Sequence, residues 1–364
     1  MKILQINKLY YPVIGGIETV VKDIAEGLNG ESDFQIDVLA CRDKGPRQTE
    51  IINDVKVFRA ASRGKALGMP LSLDFFKLFS EIKNNYDIII IHHPFPLASI
   101  IAPSIPKEKL IIFYHCDIVR QKLFRLFFRP FIAASLKNSR KILVSGRNII
   151  SSSPLLKPLA DKCVAVPFGF DDRLDAGDEF EAAAIKNRYS GGKKLLLGVG
   201  RLVYYKGFEY AVKAMASVDA RLLIIGSGPQ EKKLRQLIAS LKLEEKIIII
   251  PPQPRLKPYF LASDLFVFPS SRKSEAFGLV QLEALAAGRP IINTRLQTAV
   301  EEVSQDGISG LTVKTKNAGA LATAINRLLN DDNLRKQFGL NARERYQKLF
   351  TKKIFLDRFR RALR

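Results

Sequence analysis

The chain has 364 residues, of which 47% are hydrophobic and 26% charged; the composition is that of a soluble globular protein, and the length points to two domains, each burying its own apolar core. Three cysteines, Cys41, Cys116 and Cys163, are odd in number and far apart, which argues against a disulfide framework or a zinc site and fits a reducing cytoplasm. A net charge of +22 asks for an anionic partner, yet there is no zinc-finger spacing, RNP-like aromatic motif or continuous basic block, so nucleic acid is disfavoured and phosphate-bearing small molecules or an anionic membrane surface remain.

The N-terminal stretch "MKILQINKLYY" has the length of a strand, without the longer apolar region and cleavage site of a signal peptide. No later apolar run is long enough to span a bilayer. Residues 2–7, 34–40, 87–91, 110–114, 141–145 and 163–166 are short apolar runs rich in β-branched residues, as buried parallel strands are. The pattern repeats at 194–199, 221–225, 246–250, 264–268 and 290–292, with amphipathic helical stretches between. Two doubly wound α/β domains in tandem are expected, over 1–168 and 193–349. The polar, glycine-containing residues 169–192 read as the linker. Residues from 173 onward carry 34 basic against 19 acidic side chains, those before it 24 against 17, so most of the charge excess falls in the second domain.

In open parallel sheets ligands bind beyond the carboxyl ends of the strands, and the segments there are rich in glycine, histidine and bases. Gly15-Gly16 lies between the first strand and a helix, either as a tight turn or as a place where backbone N–H groups approach an anion. Gly226, in "GSGPQ", is similar. Neither matches the three spaced glycines of a dinucleotide fingerprint. Arg201 and Lys206 follow the first strand of the second domain, as solvated loop cations or as a clamp on a diphosphate.

The stretch "SSRKSEAFGLVQLEALAAGRP" sets Glu275 and Glu283 eight positions apart. A helix over "FGLVQLEALAAG" would put Glu275 at its entrance, the N–H groups of Phe277, Gly278 and Leu279 beside a bound anion, and Glu283 about 12 Å further along, at a ribose diol. A helix-terminal charge and an internal ion pair are the alternatives. All three histidines, His92, His93 and His115, fall at strand ends.

These landmarks, in their order and spacing, resemble glycosyltransferase family 4, retaining enzymes of the GT-B fold, over essentially the full length. The resemblance implies two Rossmann-like doubly wound domains facing a central cleft, with a C-terminal helix, residues 350–364, crossing back to the first domain. It implies nucleotide-sugar binding mainly by the second domain: Arg201 and Lys206 on the diphosphate, Glu275 on the transferred sugar and Glu283 on the ribose, with Gly15, Gly16 and Gly226 lining the donor site. His115 would face the sugar near its anomeric carbon, and Glu275 and His115 are the expected catalytic pair. His92, His93 and Asp117 are candidates for the acceptor side. The segments "HHPFP" and "HCDIVRQ" look most like the bacterial mannosyltransferase-like subset of surface polysaccharide synthesis. GDP-mannose and a lipid-linked or oligosaccharide acceptor are then expected, with a UDP-sugar donor or a sugar-nucleotide epimerase as alternatives.

There is no Asp-x-Asp metal motif, so no metal or cofactor is expected, and Arg201 and Lys206 would meet the leaving diphosphate's charge; the resemblance implies a front-face substitution. Residues 119–141 interleave Arg120, Lys122, Arg125 and Arg129 with phenylalanines. Such a segment suits peripheral attachment to the inner face of the membrane, or a helix burying its aromatic side in the first domain.

Overall fold

The computed structural model describes residues 1–30, 33–66, 68–117, 122–173 and 175–364, with the side chains of these other than 122–126. The chain forms two compact units, residues 1–168 with 355–364, and residues 169–354.

The first unit is built on strands β1 (Lys2–Ile6), β2 (Gln35–Cys41), β3 (Gln48–Ile52), β4 (Val55–Ala60), the two-residue pair β5 (Lys65–Ala66) and β6 (Met69–Pro70), then β7 (Ile88–His93), β8 (Leu110–Tyr114), β9 (Lys141–Val144) and β10 (Cys163–Ala165). Eight of them form one sheet in the order β10-β9-β8-β7-β1-β2-β4-β3. The central strands are buried along their length because helices cover both faces, which is why they are written in isoleucine, leucine and valine. Ile3 pairs in parallel with Ile36 on one side and Ile88 on the other. β3 and β4 instead make an antiparallel hairpin through Asn53 and Asp54, whose φ angles of 48° and 64° are those of a tight type I′ turn. The chain leaves β1 for β2 on one side and later returns to β7 on the other, so the carboxyl ends of β1 and β7 flank a switch point where a doubly wound sheet opens a crevice.

The last helix, Lys352–Leu363, places its final residues in this first unit. Phe359 lies against Phe113 and Phe355 against Phe168. The Arg140 guanidinium donates to the Leu363 carbonyl and Lys141 Nζ to that of Ala362 at 3.0 Å, two cations on the negative end of the helix.

The second unit holds β11 (Leu195–Val199), β12 (Arg221–Ile225), β13 (Ile247–Ile250), β14 (Leu265–Val267), β15 (Ile291–Thr294) and β16 (Gly310–Val313). They form an all-parallel sheet ordered β13-β12-β11-β14-β15-β16. Its switch point lies between β11 and β14. Leu196, Phe208, Val212, Leu222, Ile224, Val267 and Ile292 belong to its core.

Residues 169–192 are more than a linker. Asp178–Ser190 is a helix of the second unit, packed against the helix Lys257–Ala262. The acidic run that looks like linker polarity is the helix's first turn, Asp178, Glu179 and Glu181, where negative charge is favourable. Asp178 is 1% exposed and paired with Arg255, and Asp172 is held by both Lys257 and Arg343. Among the described residues no helix is long and apolar enough to cross a membrane.

Candidate active site

In the second unit the loops after β11, β12 and β14 meet at the switch point. The loop after β12 lies so close to the loop after β11 that a Cβ at Gly226 would fall inside the Gly200 carbonyl; only glycine allows that approach. Leu202 N–H donates to Ser227 O at 2.8 Å and Gln230 N–H to Leu202 O at 2.9 Å, stitching the two loops together. Arg201 is exposed at the start of this ledge.

Lys206 stands at its end, its Nζ 2.6 Å from Glu275 Oε2, in the loop after β14. Ser270 Oγ donates to the same carboxylate oxygen at 3.2 Å, and Lys206 Nζ lies 5.1 Å from the centre of the Phe268 ring. The Lys206 and Glu275 side chains are 13% and 11% exposed, so each supplies the other's counter-charge in a site mostly shut off from water. Thr298 Oγ1 anchors the Glu275 backbone carbonyl at 3.0 Å. The structure thus brings Arg201, Lys206, Gly226 and Glu275 to the ends of three adjacent strands.

The expected helix over Phe277–Gly288 is shorter than its sequence suggests, spanning Val280–Ala286. Gly278 adopts a φ of +75° with its α-carbon against the Phe268 ring, a left-handed conformation that no continuous helix contains. Phe277, Gly278 and Leu279 therefore belong to the turn entering the helix, and their N–H groups are not those of a helical first turn reaching back to Glu275. Glu283 falls in different surroundings, lining a pocket of about 240 Å³ whose wall joins apolar residues such as Phe170 and Phe260 to the charged side chains of Arg173, Asp178, Arg255 and Lys257. Burial pushes its carboxyl up to about 7.

In the first unit, Gly15 is the residue before the helix Gly16–Leu28, and its carbonyl accepts from Thr19 N and Thr19 Oγ1, each at 2.9 Å. His92, His93 and His115 are 0%, 2% and 4% exposed. His92 Nδ1 is 2.9 Å from His115 Nε2 and His92 Nε2 is 2.9 Å from Gln5 Oε1. Both ring nitrogens of His92 are thus engaged inside the protein, which corrects its expectation as an acceptor contact. His93 stacks on Tyr114 on the other side of the sheet, and its buried Nε2 has no hydrogen-bond partner among the described residues. Burial lowers all three, His92 and His93 to about 3, so they are neutral imidazoles. Asp117 accepts from Tyr114 OH and, at 2.9 Å, from Ser153 Oγ.

Of the basic residues expected on a membrane surface, Arg120 and the side chains of Lys122 and Arg125 lie outside the described residues, while Arg129 is exposed on the helix Lys122–Asn138. The phenylalanines of that helix divide: Phe128 is buried with Ile132 and Leu136, one helical turn apart each, and Phe127 is 66% exposed. Gln5 and Ser270, both touching proposed site residues, are not singled out by sequence reasoning. A polar residue inside the apolar strand "KILQI" is the signal that points to Gln5.

Two family models match the chain, Glycosyltransferase Family 4 over residues 14–171 and Glycosyl transferases group 1 over residues 179–345. O-antigen chain mannosyltransferase C of Escherichia coli is 30% identical, across 99% of this chain and 97% of its own length. D-rhamnosyltransferase WbpZ of Pseudomonas aeruginosa is 27% identical, across 96% and 92%. The solved structure of Anabaena Alr3699/HepE in complex with UDP and glucose superposes with a TM-score of 0.79 at 17% identity, covering 100% of this chain and 99% of that one; the likeness establishes the fold.

Proposed function

We propose, since the chain belongs to glycosyltransferase family 4 and is a GT-B hexosyltransferase of surface-polysaccharide synthesis, that it moves mannose from GDP-mannose to a lipid-linked or oligosaccharide acceptor. The observation that carries the donor-site reading is the Lys206–Glu275 pair at the switch point of the second sheet. A donor entering there puts its diphosphate on Arg201 and Lys206, and the carboxylate released from Lys206 accepts hydrogen bonds from the transferred sugar. Ser270 keeps one carboxylate oxygen in place meanwhile. Glu283 takes the ribose hydroxyls in its own pocket.

The full-length likeness to an O-antigen mannosyltransferase supports mannose as the sugar. The leaving diphosphate gains its stabilisation from the cations of Arg201 and Lys206 and from loop amides, without a metal ion, and its oxygen helps to deprotonate the acceptor on the same face of the sugar. The phenylalanines and cations of residues 119–141 support attachment to an anionic membrane surface, where a lipid-linked acceptor would be found.

Thermal stabilisation by a panel of nucleotide sugars tests the donor, because a ligand at a hundred times its Kd adds about 2.7 kcal/mol to stability. GDP-mannose is expected to raise the melting temperature well above UDP-glucose or UDP-galactose. A larger rise with a UDP-sugar would replace the donor, and no rise with any of them would overturn the site. Release of free sugar without acceptor would favour an epimerase.

A further inference from the structure

Gln5 is fully buried in the middle of the first sheet. Its Nε2 donates to the Val21 carbonyl at 3.2 Å, which fixes the amide so that Oε1 faces His92. Since a carboxamide oxygen only accepts, the His92 nitrogen 2.9 Å away, Nε2, carries a proton. The buried His92 is neutral, so its Nδ1 holds a lone pair. The nitrogen 2.9 Å from that lone pair is His115 Nε2, which must then be the donor. The two rings are inclined by 13° with centres 5.2 Å apart; with so short an N···N distance they meet edge to edge in nearly one plane, the geometry of an N–H···N hydrogen bond. Among the described residues the other rings beside His115 are Phe113 and Phe168, which offer no competing donor or acceptor. His115 Nδ1 has no hydrogen-bond partner among the described residues.

We propose that Gln5 and His92 are positioning residues that hold the His115 proton on Nε2, so that Nδ1 meets the donor as a hydrogen-bond acceptor and reads a sugar hydroxyl, not a phosphate oxygen. This rests on the reading that His115 faces the transferred sugar. A neutral imidazole with its lone pair outward accepts an O–H and repels an anionic oxygen; donating to phosphate would take a second proton, which burial resists. Charge on the diphosphate is then left to Arg201 and Lys206. Gln5, the penultimate residue of the first strand, sets through one intermediate ring which kind of group the site accepts.

The chain has three histidines, so long-range proton–nitrogen correlation spectra of the ¹⁵N-histidine-labelled protein resolve each ring without any variant. At neutral pH, His92 and His115 are both expected as neutral Nε2–H tautomers. Finding His115 as Nδ1–H, or as imidazolium, would overturn the proposal. In Gln5→Met, which keeps the bulk and removes the acceptor, the His92 proton is free to move to Nδ1, and His115 is expected to change to Nδ1–H.

Turnover of that variant should fall about tenfold, the worth of one neutral hydrogen bond, with affinity for free GDP unchanged. A changed tautomer with wild-type turnover would also overturn the proposal. Wild-type turnover in His115→Ala would instead remove the underlying assignment of His115 to the sugar. The two failures are distinguishable, because the tautomer is measured without substrate.

Discussion

Replacing Glu283 with glutamine should change how stability depends on pH. In the folded protein the Glu283 carboxyl is pushed up from 4.5 to about 7 by burial alone, so between those values the folded state holds a proton that the unfolded state has released. Stability therefore falls as pH rises through this window, by about 1.4 kcal/mol per pH unit and about 3 kcal/mol in all, and stays lower above it. Glutamine cannot ionise and escapes the loss. Calorimetric unfolding of the ligand-free protein should show the two forms changing little relative to each other below about pH 5. By about pH 8 the variant should have gained roughly 6–12 °C over wild type, for a unit of this size. The comparison is between slopes, because burying a carboxamide carries its own constant cost.

The same residue links pH to the ligand. Ribose hydroxyls donating to Glu283 favour its ionised form, so GDP binding should release a proton, and affinity should climb as pH rises towards 7 in wild type and stay flat in Glu283→Gln. Parallel pH profiles for the two proteins, in stability and in GDP affinity, would refute both the buried carboxyl and its role at the ribose.

Glu275→Gln should cut turnover at least about a hundredfold while free GDP binds as tightly as before or tighter, because Lys206 is relieved of a competing carboxylate; weaker GDP binding by calorimetry would count against this arrangement. Arg201→Ala should weaken GDP and GDP-mannose alike by roughly 10–150-fold, the loss of one charge-assisted hydrogen bond, and unchanged affinity for both would place the diphosphate elsewhere. Vesicles containing anionic lipid should sediment the protein at low salt, neutral vesicles should do so weakly, and glutamine at Arg120, Lys122, Arg125 and Arg129 should abolish the difference. Equal binding to both vesicle types would reject electrostatic attachment.

What can be read from the sequence follows from how each element meets the core. β8, "LIIFY", and the first four residues of β7, all isoleucine, are buried throughout, legible because parallel strands covered on both faces need apolar side chains at every position. The β3–β4 hairpin escapes the same reading, since β3 alternates partly covered and exposed residues along "QTEII" at the sheet edge, and half of such a strand is polar. β16, "GLTV", is too short to stand out. Its Gly310 is instead explained by the Ile291 carbonyl lying where a Cβ would be. The helix Asp178–Ser190 hides behind its own acidic first turn.

The candidate site divides in the same way. Arg201, Lys206, Glu275 and His115 are visible as functional residue types at strand ends. Their partners are not, because partnership is a long-range matter: Gln5 and His92 are 87 positions apart, and Lys206 and Glu275 lie in loops that follow β11 and β14, strands paired across the switch point. The relay on His115 requires knowing that β1 lies beside β7 and β7 beside β8.

The return of residues 355–364 to the first unit has a consequence for synthesis. A ribosome moving at roughly 10 residues per second takes about 20 s to make Gly169–Ile354, and through that interval the first unit lacks Phe355 and Phe359. The apolar surfaces of Phe113 and Phe168 that these rings cover stay open to chaperones or to neighbouring nascent chains. The second unit, contiguous in sequence, can close before the first. A transcript cut just short of its end would yield a folded second domain attached to a first domain with part of its core uncovered, a product that quality control could recognise by the gap beside Phe113.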